Sequence, residues 1–222
     1  MASSNKGTPS FFNPKSAGTR FLTALANLII VNFLFMMTCL PVITIGASIT
    51  SLYRITIAIL AGDNPSVWKD YLTCFKNNFL KATAFQLIYM ALTAFFLFEI
   101  FMVNNMMDPQ YYWAAYPAYF FLLMVFASSI YAFPLLAWFE ESFMQYLKNS
   151  LLLAITNVPL TIMITVITGV LAYVTYQFTV TTLSVLILMG FSSIAIFYSL
   201  FFKRIFEKLG AVISFEEREG KD

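Results

Sequence analysis

"TCLPVITIGASITSLYRITIAIL", residues 38–60, lies inside a largely apolar run from Phe21 to Ala61 that Pro41 divides near its middle. A helix that crosses a bilayer needs about 20 apolar residues. The run has 41 (21 to 61 inclusive), which at about 1.5 Å per residue makes a rod nearly twice the hydrocarbon thickness. Proline removes a backbone donor and disfavours helix at the residue before it, here Leu40. The stretch therefore reads as a tight helical hairpin, with a first span over 21–39, a turn at Leu40-Pro41-Val42 and a second span over 43–61.

The whole chain is written in the same style. Its 222 residues are 60% hydrophobic, 18% aromatic and 11% charged, against about 25% charged in a soluble domain. A core of this size cannot hide that much apolar surface and keep a wettable shell, so lipid is the solvent and the bilayer the first partner. No nucleic-acid partner is indicated. There is no histidine, which removes imidazole acid–base chemistry and imidazole metal ligands. Cys39 and Cys74 are isolated, without metal-ligand spacing, and read as unpaired. Lys15 and Arg20 before an apolar run imitate a signal peptide, but the run is too long and Met36-Met37-Thr38 offers no cleavage pattern; a retained first span is expected.

Further apolar runs predict span three at 82–104, span four at 116–138, span five at 151–174 and span six at 180–202. The basic residues agree with this count. Lys6, Lys15 and Arg20 precede span one; Lys69, Lys76 and Lys81 lie between spans two and three. Lys148 lies between four and five, and Lys203, Arg204, Lys208, Arg218 and Lys221 follow span six. The connections at 40–42, 105–115 and 175–179 carry none. With both termini cytoplasmic, twelve of the thirteen basic residues fall inside and only Arg54 lies within a span. Tyr111, Tyr112, Trp113, Tyr116 and Trp138 read as interfacial aromatics. The expected fold is all-α: one integral membrane domain over 1–222, comprising a cytoplasmic segment 1–20, a six-span bundle 21–202 and a tail 203–222.

Two cytoplasmic amphipathic helices complete the expectation. After Asn64 as cap and Pro65 as first helical residue, Val67, Tyr71, Phe75 and Phe79 recur every four residues beside Trp68 and Leu72. Phe139, Phe143, Leu147 and Leu151 repeat the stripe 72 residues later. At the same offset "KNNFLKA" (76–82) matches "KNSLLLA" (148–154), a weak internal duplication. Such helices either lie in the headgroup layer with lysines on anionic lipid or dock a cytoplasmic partner through Val67, Trp68, Tyr71, Phe75, Phe79, Phe139, Glu140, Phe143 and Leu147. Glu140 and Val158-Pro159 also fall at the spacing of the E-A-A-x3-G-x9-I-x-L-P segment that couples ABC importer permeases to their ATPase. Ser142, Tyr146 and Thr156 depart from it.

Polar groups within spans are functional candidates. Arg54, eight residues from the inner end of span two, reads as a snorkelling anchor or as the partner of Glu140, Glu141 or Asp70. Glu99 lies near the outer end of span three. Pro41, Thr44, Gly46, Ala47, Thr50 and Ser51 form the hairpin turn and a small-residue face for close helix packing, with Asn27 and Asn32 of span one as hydrogen-bonding partners. No nucleophile, metal or phosphate-loop motif is present. The chain reads as neither an enzyme nor the holder of a cofactor.

"FFNPKS" (11–16), "RFL" (20–22), "CLPVITIGASITSLYR" (39–54) and "FKNNFLKA" (75–82) together resemble the YesL family of Gram-positive bacterial membrane proteins. The most specific part is Leu40-Pro41, Thr44, Gly46 and Thr50 to Tyr53. The resemblance implies a polytopic cell-membrane protein linked with carbohydrate uptake, particularly ABC importers of oligosaccharides. Three roles follow: an accessory subunit of such an importer that meets its permease or ATPase subunits, a stand-alone small-solute transporter or channel, or a regulatory or scaffolding protein without transport.

Overall fold

With few side chains able to compete for backbone hydrogen bonds and no water to satisfy them in lipid, helix is the one open structure this sequence can form. A computed structural model describes residues 17–63 and 65–208, and every regular element in them is helical. α1 runs Ala17–Cys39. A 3-10 turn at Val42–Thr44 leads to α2, Ile45–Ala61. α3 is Val67–Met106, and a second 3-10 segment, Pro109–Ala115, precedes α4, Tyr116–Trp138. α5 is Phe143–Thr156 and α6 Val158–Gln177. The last path is α7 (Thr179–Val185), a π-helical turn (Leu186–Gly190) and α8 (Phe191–Lys208). Among the described residues, five helical stretches are long and apolar enough to cross a membrane: Phe21–Cys39, Val42–Ala61, Val67–Met106, Pro109–Trp138 and Val158–Gln177. The chain is a multi-pass membrane protein.

The Pro41 hairpin forms where it is expected. Pro41 is extended (φ −77°, ψ 126°) and caps the 3-10 turn. Thr44 closes the turn by donating its N–H to the Pro41 carbonyl at 3.0 Å and its hydroxyl to the same oxygen at 2.7 Å. α2 ends on Gly62 in the left-handed region (φ 91°). The Gly62 N–H bonds to the Ile59 carbonyl and the Asp63 N–H to that of Ala58, both at 3.1 Å, a pair of bonds that requires a residue tolerant of positive φ.

Four boundaries differ from the sequence reading. The first amphipathic helix and span three are one continuous helix, because 67–106 contains neither Pro nor Gly and Lys81 interrupts hydropathy without breaking helix. Its 40 residues extend about 60 Å. The expected Asn64 cap lies outside the described residues, and helix begins at Val67 rather than Pro65. The second amphipathic helix continues to Thr156, and the new helix starts at Val158 instead of 151. Pro159 in its first turn cannot donate back, so the chain breaks at Asn157 (φ −114°, ψ 42°). Span six is divided by the π turn, and its last turns carry Lys203, Arg204 and Lys208. Span four matches its expected bounds, with Pro134 accommodated inside it.

Two packed cores join these elements. The larger holds Ala47, Ile57, Ala82, Phe85, Tyr131, Leu135, Tyr146, Leu153, Phe202 and Phe206, from α2, α3, α4, α5 and α8. The smaller places Leu28, Val31, Leu34 and Phe35 of α1 against Leu52 and Ile55 of α2 and Val67 and Tyr71 of α3. α2 packs antiparallel along the first half of α3. Thr83 donates to the Ile43 carbonyl at 3.4 Å, while Arg54 and Asp70 share one cleft. The second half of α3 packs along α4, through Tyr89–Ser128 (2.9 Å), stacked Phe96–Phe121 (5.6 Å) and Asn104–Tyr119 (3.3 Å).

Candidate functional site

α4 ends at Trp138 with its last carbonyls unmatched inside the helix, as every helix end does. Arg54, projecting from α2, meets that end. Its guanidinium donates to the Ala137 carbonyl at 3.2 Å and lies 4.3 Å from the centroid of the Trp138 ring. A cation at a helix C-terminus opposes the negative end of the macrodipole, and the indole face adds a cation–π contact. The same device recurs one helix away. Lys203 of α8 donates to the Leu60 carbonyl at the end of α2 at 3.0 Å and pairs with Glu207 at 3.8 Å.

Around Arg54 opens a cleft of about 360 Å³, walled by α3 on one side and by the end of α4 and the start of α5 on the other. Its polar lining comprises Arg54, Lys81, Asp70, Glu140, Asn77 and Asn78. Asn78 is oriented by the hydrogen bond its Nδ2 donates to the Cys74 carbonyl at 3.2 Å. Two cations, two carboxylates and two amides make a surface that recognises polar groups by hydrogen bonding and charge, with little net charge of its own.

The floor of the cleft is held by Tyr146. Its hydroxyl donates to the Phe139 carbonyl and accepts the Glu141 N–H at 3.1 Å. Burial pushes this phenol upward, opposed by the Glu141 backbone bond, so it stays protonated and able to donate. Ser142 and Gln145 form a capping box that starts α5, and Asn149 donates to the Glu141 carboxylate at 2.7 Å. The 139–146 segment is thus fixed from both ends beside Trp138.

The same half of α3 that lines the cleft continues into a contact with the hairpin turn. Gln86, a buried amide, donates its Nε2 to the Val42 carbonyl at 2.6 Å and accepts the Gly46 N–H on its Oε1. This run from α1 through α3 is the part of the chain with a recognisable signature. Residues 28–100 match the DUF624 family model, described as a protein of unknown function. The matched segment supplies Arg54, Asp70, Asn77, Asn78, Lys81 and Gln86; the α4–α5 wall of the cleft lies beyond it. No curated protein and no solved structure gives a match.

Most residues expected to dock a partner face inward. Val67 and Tyr71 are buried in the smaller core, and Phe75, Phe79, Phe139, Phe143 and Leu147 pack on the larger one. The two stripes meet each other's neighbourhood: Phe143 stacks on Phe85 at 4.3 Å and Tyr146 meets the same ring edge-on. Trp68 (62% exposed) and Glu140 are the members left at the surface. Gly46, Ala47, Thr50 and Ser51 are all buried on α2, and Thr50 and Ser51 return their hydroxyls to the carbonyls four residues back, each at 2.9 Å. Glu99 is half-buried on the second half of α3, remote from the cleft.

Two amides that organise the fold were not assigned their partners from sequence. Gln86 carried no expectation. Asn32 bonds not within the hairpin but to the π turn, donating to the carbonyls of Leu186 (3.2 Å) and Ile187 (2.7 Å) and accepting the Ser192 N–H (3.1 Å). The available signal was the same for both, a lone amide in an apolar run that must find buried partners.

Proposed function

We propose that the chain is an accessory membrane subunit of an ABC-type carbohydrate uptake system, meeting transporter components at the mouth of the Arg54 cleft. Six helical segments enter the membrane, with both termini and the cleft on the cytoplasmic side. The placement of basic residues supports this orientation, since Lys69, Lys76, Lys81, Lys148 and Lys203 cluster around the cleft's end of the helices. The observation that carries the reading is the concentration of charged and amide groups in this one cleft, with exposed Glu140 among its lining. The resemblance to the YesL family supplies the carbohydrate importer as the partner. Isolation at native expression in mild detergent, followed by mass spectrometry, tests the proposal. Recovery of importer permease or ATPase subunits is expected; their consistent absence contradicts it.

A further inference from the structure

The connections 40–42 and 105–115 both lack basic residues and would both lie at the outer surface if every helix crossed fully. In the fold they are far apart. The first turn is clamped to Gln86 and Thr83, whereas α3 continues twenty residues beyond Gln86, to Met106, about 30 Å further. That distance covers most of the hydrocarbon, with Lys81, about 7 Å before Gln86, at its cytoplasmic edge. α4 accompanies this outer half as far as Asn104–Tyr119, and Tyr111, Tyr112 and Trp113 stand at its tip.

The chemistry of the two connections differs in the same sense. Leu40, Val42 and Ile43 are 76%, 59% and 58% exposed, with no charge and no interfacial aromatic among them. Four carbonyls in and before the turn are nevertheless satisfied from within. The Pro41 carbonyl takes the Thr44 N–H and hydroxyl, and the Val42 carbonyl takes Gln86 and the Ile45 N–H. The Ile43 carbonyl takes Thr83, and the Thr38 carbonyl takes the Thr44 hydroxyl. Apolar side chains outside and carbonyls closed from within suit an irregular segment in hydrocarbon. Water requires neither. Along α2, moreover, the partner half of α3 carries Lys69, Asp70, Lys76 and Lys81. Full insertion of α2 would draw these groups into the hydrocarbon, Lys76 close to its centre, where such groups are costly.

We propose that the α1–α2 turn ends inside the bilayer, against lipid acyl chains, and does not reach the outer surface. The hairpin enters and leaves on the cytoplasmic side, so the placement of both termini and of every basic residue is unchanged. The length of α1 is accommodated by tilt. Four helical passes then cross completely: the outer half of α3, α4, α6 and the α7–α8 path. The inference rests on the membrane orientation proposed above and not on the docking role.

Single cysteines test it in the full chain carrying Cys39→Ala and Cys74→Ala. A membrane-impermeant maleimide is applied to intact cells and to inverted vesicles bearing Leu40→Cys, Ile43→Cys or Tyr112→Cys. Tyr112→Cys is expected to label from outside only. Leu40→Cys and Ile43→Cys are expected to escape labelling from both faces, yet to react fully after solubilisation in SDS. Labelling of either turn position from outside, at the rate of Tyr112→Cys, overturns the inference. Failure of Tyr112→Cys to label from outside overturns the orientation beneath it.

Discussion

Arg54 and Trp138, 84 positions apart in sequence, meet as guanidinium over indole, 4.3 Å from charge centre to ring centroid, with the same guanidinium bonded to the Ala137 carbonyl. An arginine within a hydrophobic helix is thereby explained by the helix end it closes. Arg54→Gln is expected to lower stability in detergent by about 1–3 kcal/mol, from the lost cap, dipole and ring contacts. Arg54→Lys should recover only part, because an ammonium lacks the planar fork and stacks less well. Thermal unfolding followed by circular dichroism checks both.

Gly46 is required by close approach. A Cβ there would stand 2.7 Å from the Ala82 carbonyl oxygen and 2.9 Å from the Phe133 ring. Gly46→Ala must push α2 from α3 and is expected to cost about 1–3 kcal/mol. Gly169, in α6, has open space around a would-be Cβ. Gly169→Ala is expected to be neutral or stabilising by up to about 1 kcal/mol. The contrast in unfolding temperature between these two substitutions is the measurement.

Gln86→Leu keeps the volume and removes both amide functions that hold the turn. The Gly46 N–H is left buried without its acceptor, at about 1–3 kcal/mol, and Val42 loses a donor. Gln86→Glu retains an acceptor for Gly46 but sets an oxygen against the Val42 carbonyl. Both variants should accelerate limited proteolysis near residue 41 in detergent, while cleavage at the α3–α4 connection stays unchanged.

Asn32→Leu should release the π turn. Hydrogen exchange at residues 186–192 is expected to rise, since Asn32 accepts the Ser192 N–H and holds the Leu186 and Ile187 carbonyls. Amides of the α2–α3 contact should keep their protection.

The elements differ in how far they could be read from sequence, and for physical reasons. Pro41 acts locally on the backbone, so the first hairpin was legible, as was α4, whose apolar run coincides with its helix. α3 was not, because hydropathy ends at Lys81 while helix propensity does not. The stripe from Phe139 to Leu151 was visible as a helix face. That it turns onto the protein's own core depends on Phe85 and Tyr146, contacts distant in sequence. Arg54 was flagged by its setting, yet its partners lie at the end of another helix, which no local pattern encodes.

Photo-crosslinking from the cleft tests the central claim most directly. A photoreactive residue at position 77 or 140, both lining the cleft, in cells at native expression and actively taking up carbohydrate, is predicted to join the chain to an importer permease or ATPase subunit. The same residue at position 101, on the apolar outer half of α3, is predicted to give no such product. Crosslinks to lipid alone from positions 77 and 140 would contradict the docking role.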